Sequence, residues 1–509
     1  MYQRLSKFKA AELPKLYTVI ALLIIGALSA CGGGGVGYAP ISVVTPPIPV
    51  VIPPVSSALP AASSVQNLCA SPRSGTSDKV GSFDTEKSYL RSFTDETYLW
   101  YRDVPVLNPL SYANPQAYFK DLKTPLKTAS GKLVDEFHWS VTQAEYDQQN
   151  AGISEDYGIQ WAFANNRPPR SLVVANVEKI SPAFGLFKRG DQMQTVDGAD
   201  FVNGSAVDVL NEGLFPTKLA PHTFGVLRQG QLLSITITPA TVITTPVQYT
   251  QIVDTLSGKV GYIYFDDHIA KSEPLLIDAF NTIKAQGATD LVLDLRYNGG
   301  GLLYIASQVA YMVAGSESTK SKTFDRLTYN DKRIKDNVAI PFYDFTSGNA
   351  GTGAQTLPSL GLKKVTILTT HGTASASEAI INGLRGVDVD VTLIGDITRG
   401  KPYGFVPQPN CGFVYYSIQF QGQNNKGFGD FADGFAPSCN VKDDFTHALG
   451  DVAEGQLAAA LQYRATKICP TAVVGSISGS LKSAGSDVVY QLYRSPAKEL
   501  SIPTLIHRN

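Results

Sequence analysis

The pattern that most limits what this chain can become begins at Lys259. From there, short apolar runs alternate with segments of helical periodicity. Val260-Gly261-Tyr262-Ile263-Tyr264-Phe265 reads as a strand and Leu275 to Lys284 as a helix. Leu291-Val292-Leu293-Asp294-Leu295 reads as a buried strand, followed by a helix from Leu302 to Val313. Val365-Thr366-Ile367-Leu368 is the next strand, and a helix running to Leu384 starts at Ser375. Val391-Thr392-Leu393-Ile394-Gly395 is a further strand. Alternation of this kind predicts an α/β fold, a sheet with covering helices.

At 509 residues the chain has room for several domains. A formal net charge of −1 leaves no basic footprint for nucleic acid. The N-terminus is more informative. Arg4, Lys7, Lys9 and Lys15 precede an apolar run from Leu16 to Leu28, short for a membrane span and ending in small residues. Residues 1–30 therefore read as an export signal. The junction Leu28-Ser29-Ala30-Cys31 resembles a bacterial lipobox, which would make Cys31 the lipidated N-terminus of the mature chain. Gly32 in place of Asp favours, by resemblance to Gram-negative sorting, the outer membrane. Export permits disulfides among Cys69, Cys411, Cys439 and Cys469. Cys411 with Cys439 is the preferred pair, since both flank one loop-rich segment.

Residues 31–76 are rich in Gly, Pro, Ser, Val and Ala, the composition of an extended tether. Tyr89, Leu90, Phe93, Tyr98, Leu99 and Trp100 recur at helical spacing, so residues 77–150 are expected to form a small helical region. Over 151–242 the texture becomes β-rich. Leu172 to Val177 is a strand, Ser181 to Leu186 a small-residue helix, Gly190-Asp191 and Asp197-Gly198 are turns, and Leu232 to Ile237 is a strand. This order resembles a PDZ domain. Tyr157, Gly158 and Ile159 fall where PDZ domains carry the loop that holds a peptide C-terminus, by strand addition and backbone donors. A core over 251–470 and a tail over 471–509 complete the expected organisation.

Two residues in the core suggest chemistry. Ser375 opens a helix, where free N–H groups and the dipole favour developing negative charge. Lys401 follows a strand and sits between Gly400 and Pro402. A serine hydroxyl needs a base, and a lysine can serve when burial keeps it neutral. The same residues have plainer uses. Ser375-Ala376-Ser377-Glu378 fits a Ser-x-x-Glu capping box, and Lys401 could be a solvated turn residue. His371 lies near Ser375, but no Gly-x-Ser-x-Gly elbow accompanies it. No His-x-x-x-His or Cys-x-x-Cys pattern occurs, so no metal or cofactor is expected.

Taken together, the segments resemble the C-terminal-processing, or tail-specific, serine peptidases. That family's LDLRxNxGG turn is matched by Leu293-Asp294-Leu295-Arg296-Tyr297-Asn298-Gly299-Gly300-Gly301. Its ASASE motif places the nucleophile on Ser375, and its glycine–lysine turn places the base on Lys401. The resemblance implies a crotonase/ClpP-like core and an oxyanion hole from the amides of Gly300 and Ala376. It also implies protein or peptide substrates recognised partly through their C-terminal regions. With Cys31, the expectation is an endopeptidase anchored to a lipid membrane. One departure stands out. Many members carry a glutamine four places after the lysine, and here that place is Phe405. The alternative expectation is a tethered peptide-binding module that kept the fold without catalysis.

Overall fold

The computed structural model describes residues 59–347, 355–470 and 490–492. The expected export signal, Cys31, most of the tether and most of the tail lie outside these residues. Among the described residues no helix is long and apolar enough to cross a membrane.

A six-stranded sheet runs in the order Val247–Thr255, Gly258–Phe265, Asp290–Asp294, Lys364–Thr369, Asp390–Gly395 and Cys439–Asn440. The first pair is antiparallel and every later pair parallel. Parallel neighbours need crossovers, and the helices Ser272–Ala285, Leu303–Thr319 and Ala376–Gly386 supply three of the four; the last runs through residues 396–438 without a helix. The inner strands are largely apolar and buried because both their faces are covered, whereas the edge strand Val247–Thr255 carries Gln248, Thr250, Gln251 and Asp254. Ile263, Phe265, Leu291 and Leu293 point to one face, against Leu276, Phe280, Ile305, Val309, Ile380 and Leu384 of the helices. Val260, Tyr262, Tyr264 and Val292 alternate to the other face, against Leu457 and Ala460 of the helix Gly455–Thr466.

Residues 159–237 form a second sheet, ordered Gln231–Ile237, His222–Arg228, Gln192–Val196, Ser171–Val177 and Ile159–Asn165, with Gln491–Leu492 added at the end. Its own core gathers Trp161, Leu172, Val174, Met193, Phe224 and Val226 under the helix Val207–Leu214. The helix expected over Ser181 to Leu186 is corrected to a series of turns. Gly185 takes φ +81°, outside the helical region, so the chain turns instead of winding on. Ala162, Val173 and Ala175 face away from this core and join the apolar cluster of Tyr262 and Tyr264. Arg189 adds polar ties, donating to Asp443 at 2.6 Å and to the Tyr297 hydroxyl at 2.7 Å.

The N-terminal region is only partly helical. Phe83–Thr97 is a helix started by a Ser82–Thr85 capping box and burying Tyr89, Leu90 and Phe93. It ends before Tyr98, which turns inward to donate to Asp135 at 2.6 Å. Further on, Trp139–Thr142 pairs with Phe413–Tyr416. The region is therefore woven into the core and shares the cluster of Phe119, Phe137, Tyr415 and Ile418.

The expected disulfide is also corrected. Cys69 pairs with Cys411, and Cys439 pairs with Cys469. Cys411 turns between Gln408–Asn410 and Phe413–Tyr416, beside the N-terminal strand Leu68–Cys69. Cys439 instead sits at the edge of the six-stranded sheet. Loop proximity in sequence did not translate into proximity in space.

Candidate active site

The strand Lys364–Thr369 delivers a tight turn that ends at Ser375 and opens the helix Ala376–Gly386. Several bonds hold this turn against the glycine-rich segment. Thr373 Oγ1 donates to Leu295 O at 2.8 Å, Ala374 N to Asn298 O at 3.1 Å, and Ser377 Oγ to the same oxygen at 3.0 Å. Ser375 adopts φ +56° and ψ −115°. Such a backbone costs a non-glycine residue about 1–3 kcal/mol and persists only where the surroundings impose it. Ser375 is half-buried, whereas Ala376 and Ser377 are buried. The two serines thus have different tasks: Ser377 braces the Asn298 turn, and Ser375 is presented at the surface of the site.

Glu378 joins the two halves of the site. It is fully buried, and its carboxylate accepts four hydrogen bonds. Oε2 takes Ser375 N at 2.9 Å and Lys401 N at 2.8 Å. Oε1 takes Thr398 Oγ1 at 2.6 Å and Gly400 N at 2.7 Å. The Ser375 and Lys401 amide nitrogens therefore lie within the sum of two hydrogen-bond lengths of each other. Burial pushes the Glu378 carboxyl above its usual range, and the four donors pull it back. Because all four partners present hydrogens, the ionised form is the one this environment accommodates. Gly400 adopts φ +84°, and a Cβ there would meet Ala432 O at 2.2 Å, so the lysine turn requires glycine.

Lys401 is 3 % exposed. Its Nζ lies 4.8 Å from the Phe137 ring centroid and 4.2 Å from that of Phe405. Burial is the main cause that pushes its pKa down to about 7; Arg399 acts in the same sense, while Asp135 and Glu378 oppose it. The amine is thus available as a base near neutral pH. The N-terminal region reaches this turn twice, through Phe137 and through Lys132, whose Nζ donates to Arg399 O at 2.6 Å.

Gly300 packs directly beneath Ser375. A Cβ at Gly300 would lie 2.8 Å from Ala374 O, Ala376 N and the Ser375 Cβ, and its φ of +97° suits only glycine. Its amide donates to Asn298 Oδ1 at 2.9 Å, an oxygen that His268 Nδ1 also approaches at 2.9 Å. Burial pushes the His268 imidazole down to about 4, so it is neutral and donates from Nδ1. The Gly300 amide is accordingly engaged by a side chain. Ala376 is the first helical residue, where an N–H has no intrahelical acceptor.

The structure brings Ser375, Ala376, Gly300 and Lys401 to one place. Tyr157, Gly158 and Ile159 lie elsewhere, at the start of the Ile159–Asn165 strand. Tyr157 is buried and donates through its hydroxyl to Gly213 O at 2.8 Å. Gly158 N donates to Asp156 Oδ1 at 2.6 Å. His371 makes no hydrogen bond to Ser375 among the described residues, and burial pushes it down to about 4. Sequence reasoning saw Glu378 only as a helix cap. Its reach to the Lys401 turn spans 23 residues and had no local signal. Phe137 was likewise unmarked.

The comparisons agree with this architecture. The profile of peptidase family S41 matches residues 259–409, which include Ser375 and Lys401. The profile of the peptidase S41 N-terminal domain matches residues 86–141, which include Phe137. Both matched stretches of the chain are thus similar to peptidase family S41. It is 25% identical over 296 residues to a Staphylococcus aureus protein described as a CtpA-like serine protease, covering 58% of this chain and 52% of the relative. It is 29% identical over 332 residues to carboxyl-terminal-processing peptidase 1, chloroplastic, of Arabidopsis thaliana, covering 63% and 61%. The chain thus spans about half the length of the Staphylococcus relative. A solved Bacteroides fragilis structure, assigned as an S41 protease, shares the fold with a TM-score of 0.61 at 24% identity, over 75% of this chain and 97% of that one.

Proposed function

We propose that the chain is a serine-type endopeptidase in which Ser375 is the nucleophile and Lys401 the general base. One observation carries this reading: a single buried carboxylate, Glu378, binds the amides of both residues, while the Lys401 amine is buried and poised near neutrality. The neutral amine takes the Ser375 proton as Oγ attacks the scissile carbonyl carbon. The Ala376 amide, with Gly300 once Asn298 releases or shares it, stabilises the oxyanion; such a donor is worth about 3–4 kcal/mol. As the C–N bond breaks, the Lys401 ammonium protonates the leaving amine. Water then hydrolyses the acyl-enzyme with Lys401 again as base.

The reading extends to the rest of the chain. A PDZ-like domain over 151–242 would bind extended peptides near their C-termini, and lipidation at Cys31 would tether the enzyme to the cell envelope, in the outer membrane. The test is steady-state cleavage of an unfolded protein by three variants, with circular dichroism as a folding control. Ser375→Ala and Lys401→Arg should both be inactive, because arginine keeps the charge but cannot give up its proton. Ser377→Ala should retain turnover. Substantial activity in Lys401→Arg would remove lysine as the base. Peptide binding by the wild type with no turnover would make the chain a binding module.

A further inference from the structure

The Ile159–Asn165 strand ends the second sheet, with Ser171–Val177 on one side. Its other side is the edge to which an extended peptide could add. In this structure the edge is taken by the chain itself. Gln491 pairs with Phe163 and Leu492 with Ala162, antiparallel. A strand running in that direction advances toward the start of Ile159–Asn165, where Tyr157 and Gly158 lie. Tyr490 and Leu492 pack against the apolar cluster of Ala162, Val173 and Phe445, while Gln491 between them is exposed. The Tyr490 ring lies 5.0 Å from Phe445, and its hydroxyl is 3.3 Å from Ser171 Oγ.

We infer that the segment around Tyr490–Leu492 is a built-in competitor for the edge on which peptide substrates dock, so that a substrate must displace the chain's own tail. The inference rests on the peptide-docking reading above. Two features favour a displaceable occupant. Only two residues pair, and a strand that short adds little stability of its own. A covalently attached segment nevertheless acts at an effective concentration in the millimolar range, which holds off weak ligands while a substrate that pairs along the whole strand can win. The site therefore selects extended peptides with apolar residues at alternate positions, the pattern of Tyr490, Gln491 and Leu492.

The test uses the full chain carrying Tyr490→Asp and Leu492→Asp, which places charges against an apolar cluster and leaves the candidate catalytic groups untouched. A labelled peptide of the sequence of residues 487–494 should bind this variant, measured by anisotropy, at least tenfold tighter than the wild type. The variant's KM for a long unfolded substrate should fall five- to tenfold with kcat unchanged, and cleavage of a four-residue chromogenic peptide should stay within twofold. Failure of the labelled peptide to bind the variant would overturn the tail's role outright. Binding of the peptide with an unmoved KM for long substrates would show that substrates dock elsewhere, which overturns the competition through the docking reading. Because anisotropy can be read on Ser375→Ala, the test does not depend on turnover.

Discussion

Replacing Glu378 probes the connection on which the site depends. In Glu378→Ala all four donors lose their acceptor inside a buried space: Ser375 N, Lys401 N, Gly400 N and the Thr398 hydroxyl. Each orphaned buried donor costs about 1–3 kcal/mol, so the loss is about 4–12 kcal/mol, comparable with the whole stability of a typical domain. Glu378→Gln is milder for a specific reason. Its NH₂ group should settle at the Oε1 position, where the Thr398 oxygen can accept from it, even though that oxygen already takes Phe435 N at 2.8 Å. Gln Oε1 then keeps the Ser375 and Lys401 amides, while Gly400 N and the Thr398 hydroxyl hydrogen lose their acceptor, for about 2–6 kcal/mol. Urea unfolding followed by the fluorescence of Trp100, Trp139 and Trp161 measures both variants. Glu378→Gln should fold, with reduced turnover. A Glu378→Ala protein within 1 kcal/mol of the wild type, by the same standard of about 1 kcal/mol for a single net hydrogen bond, would refute the argument.

Three further outcomes follow from the geometry and the N-terminal motif. Under the proposed mechanism Lys401 must be neutral to accept a proton, so kcat/KM should fall about tenfold per pH unit below about 7 and level off above it. Phe405→Leu removes a ring that favours the ammonium, so that limb should move down by about 0.5–1 pH unit; a limb that moves up or stays put contradicts the cation–π account. Cys31→Ala should release the protein from membranes or block its maturation, since several acyl chains anchor stably where none does. A fully processed variant that still fractionates with membranes would show that Cys31 is not the anchor.

Four strands of the central sheet were legible because they lie buried on both faces, while the edge strands Val247–Thr255 and Cys439–Asn440 carried no such run. Continuous runs such as Val260 to Phe265 and Leu291 to Leu295 can hardly be anything else when helices separate them. Local signals also marked Ser375, through the motif around it. What stayed hidden depends on contacts made through space. Tyr98 continues the helical spacing of Tyr89 and Phe93, yet it leaves the helix because Asp135 offers its hydroxyl a buried acceptor. The cysteine pairing follows from which strands lie side by side, and four cysteines alone carry no such information. Ser181 to Leu186 has small residues in a helical order, but Gly185 takes a left-handed backbone that ends it.

Position 405 shows why a departure from a family's pattern need not be a loss. A glutamine side chain would orient a lysine by accepting a hydrogen bond from it. Phenylalanine cannot do that, but its ring face attracts an ammonium, and here it acts opposite a second ring, Phe137. Burial alone would drive the Lys401 pKa down, favouring the base and weakening the acid that the leaving amine needs. The two rings and the nearby carboxylates of Asp135 and Glu378 work against burial, because each favours the charged form. A balance close to 7 leaves both forms populated at neutral pH, which suits the proposed role of first taking a proton and then returning it. Phe137 comes from the N-terminal region, which is tied to the core by the Trp139–Thr142 pairing and the Cys69–Cys411 bond. The environment of the base is therefore complete only when that region is docked, so the N-terminal region belongs to the candidate active site as much as the sheet that carries Ser375.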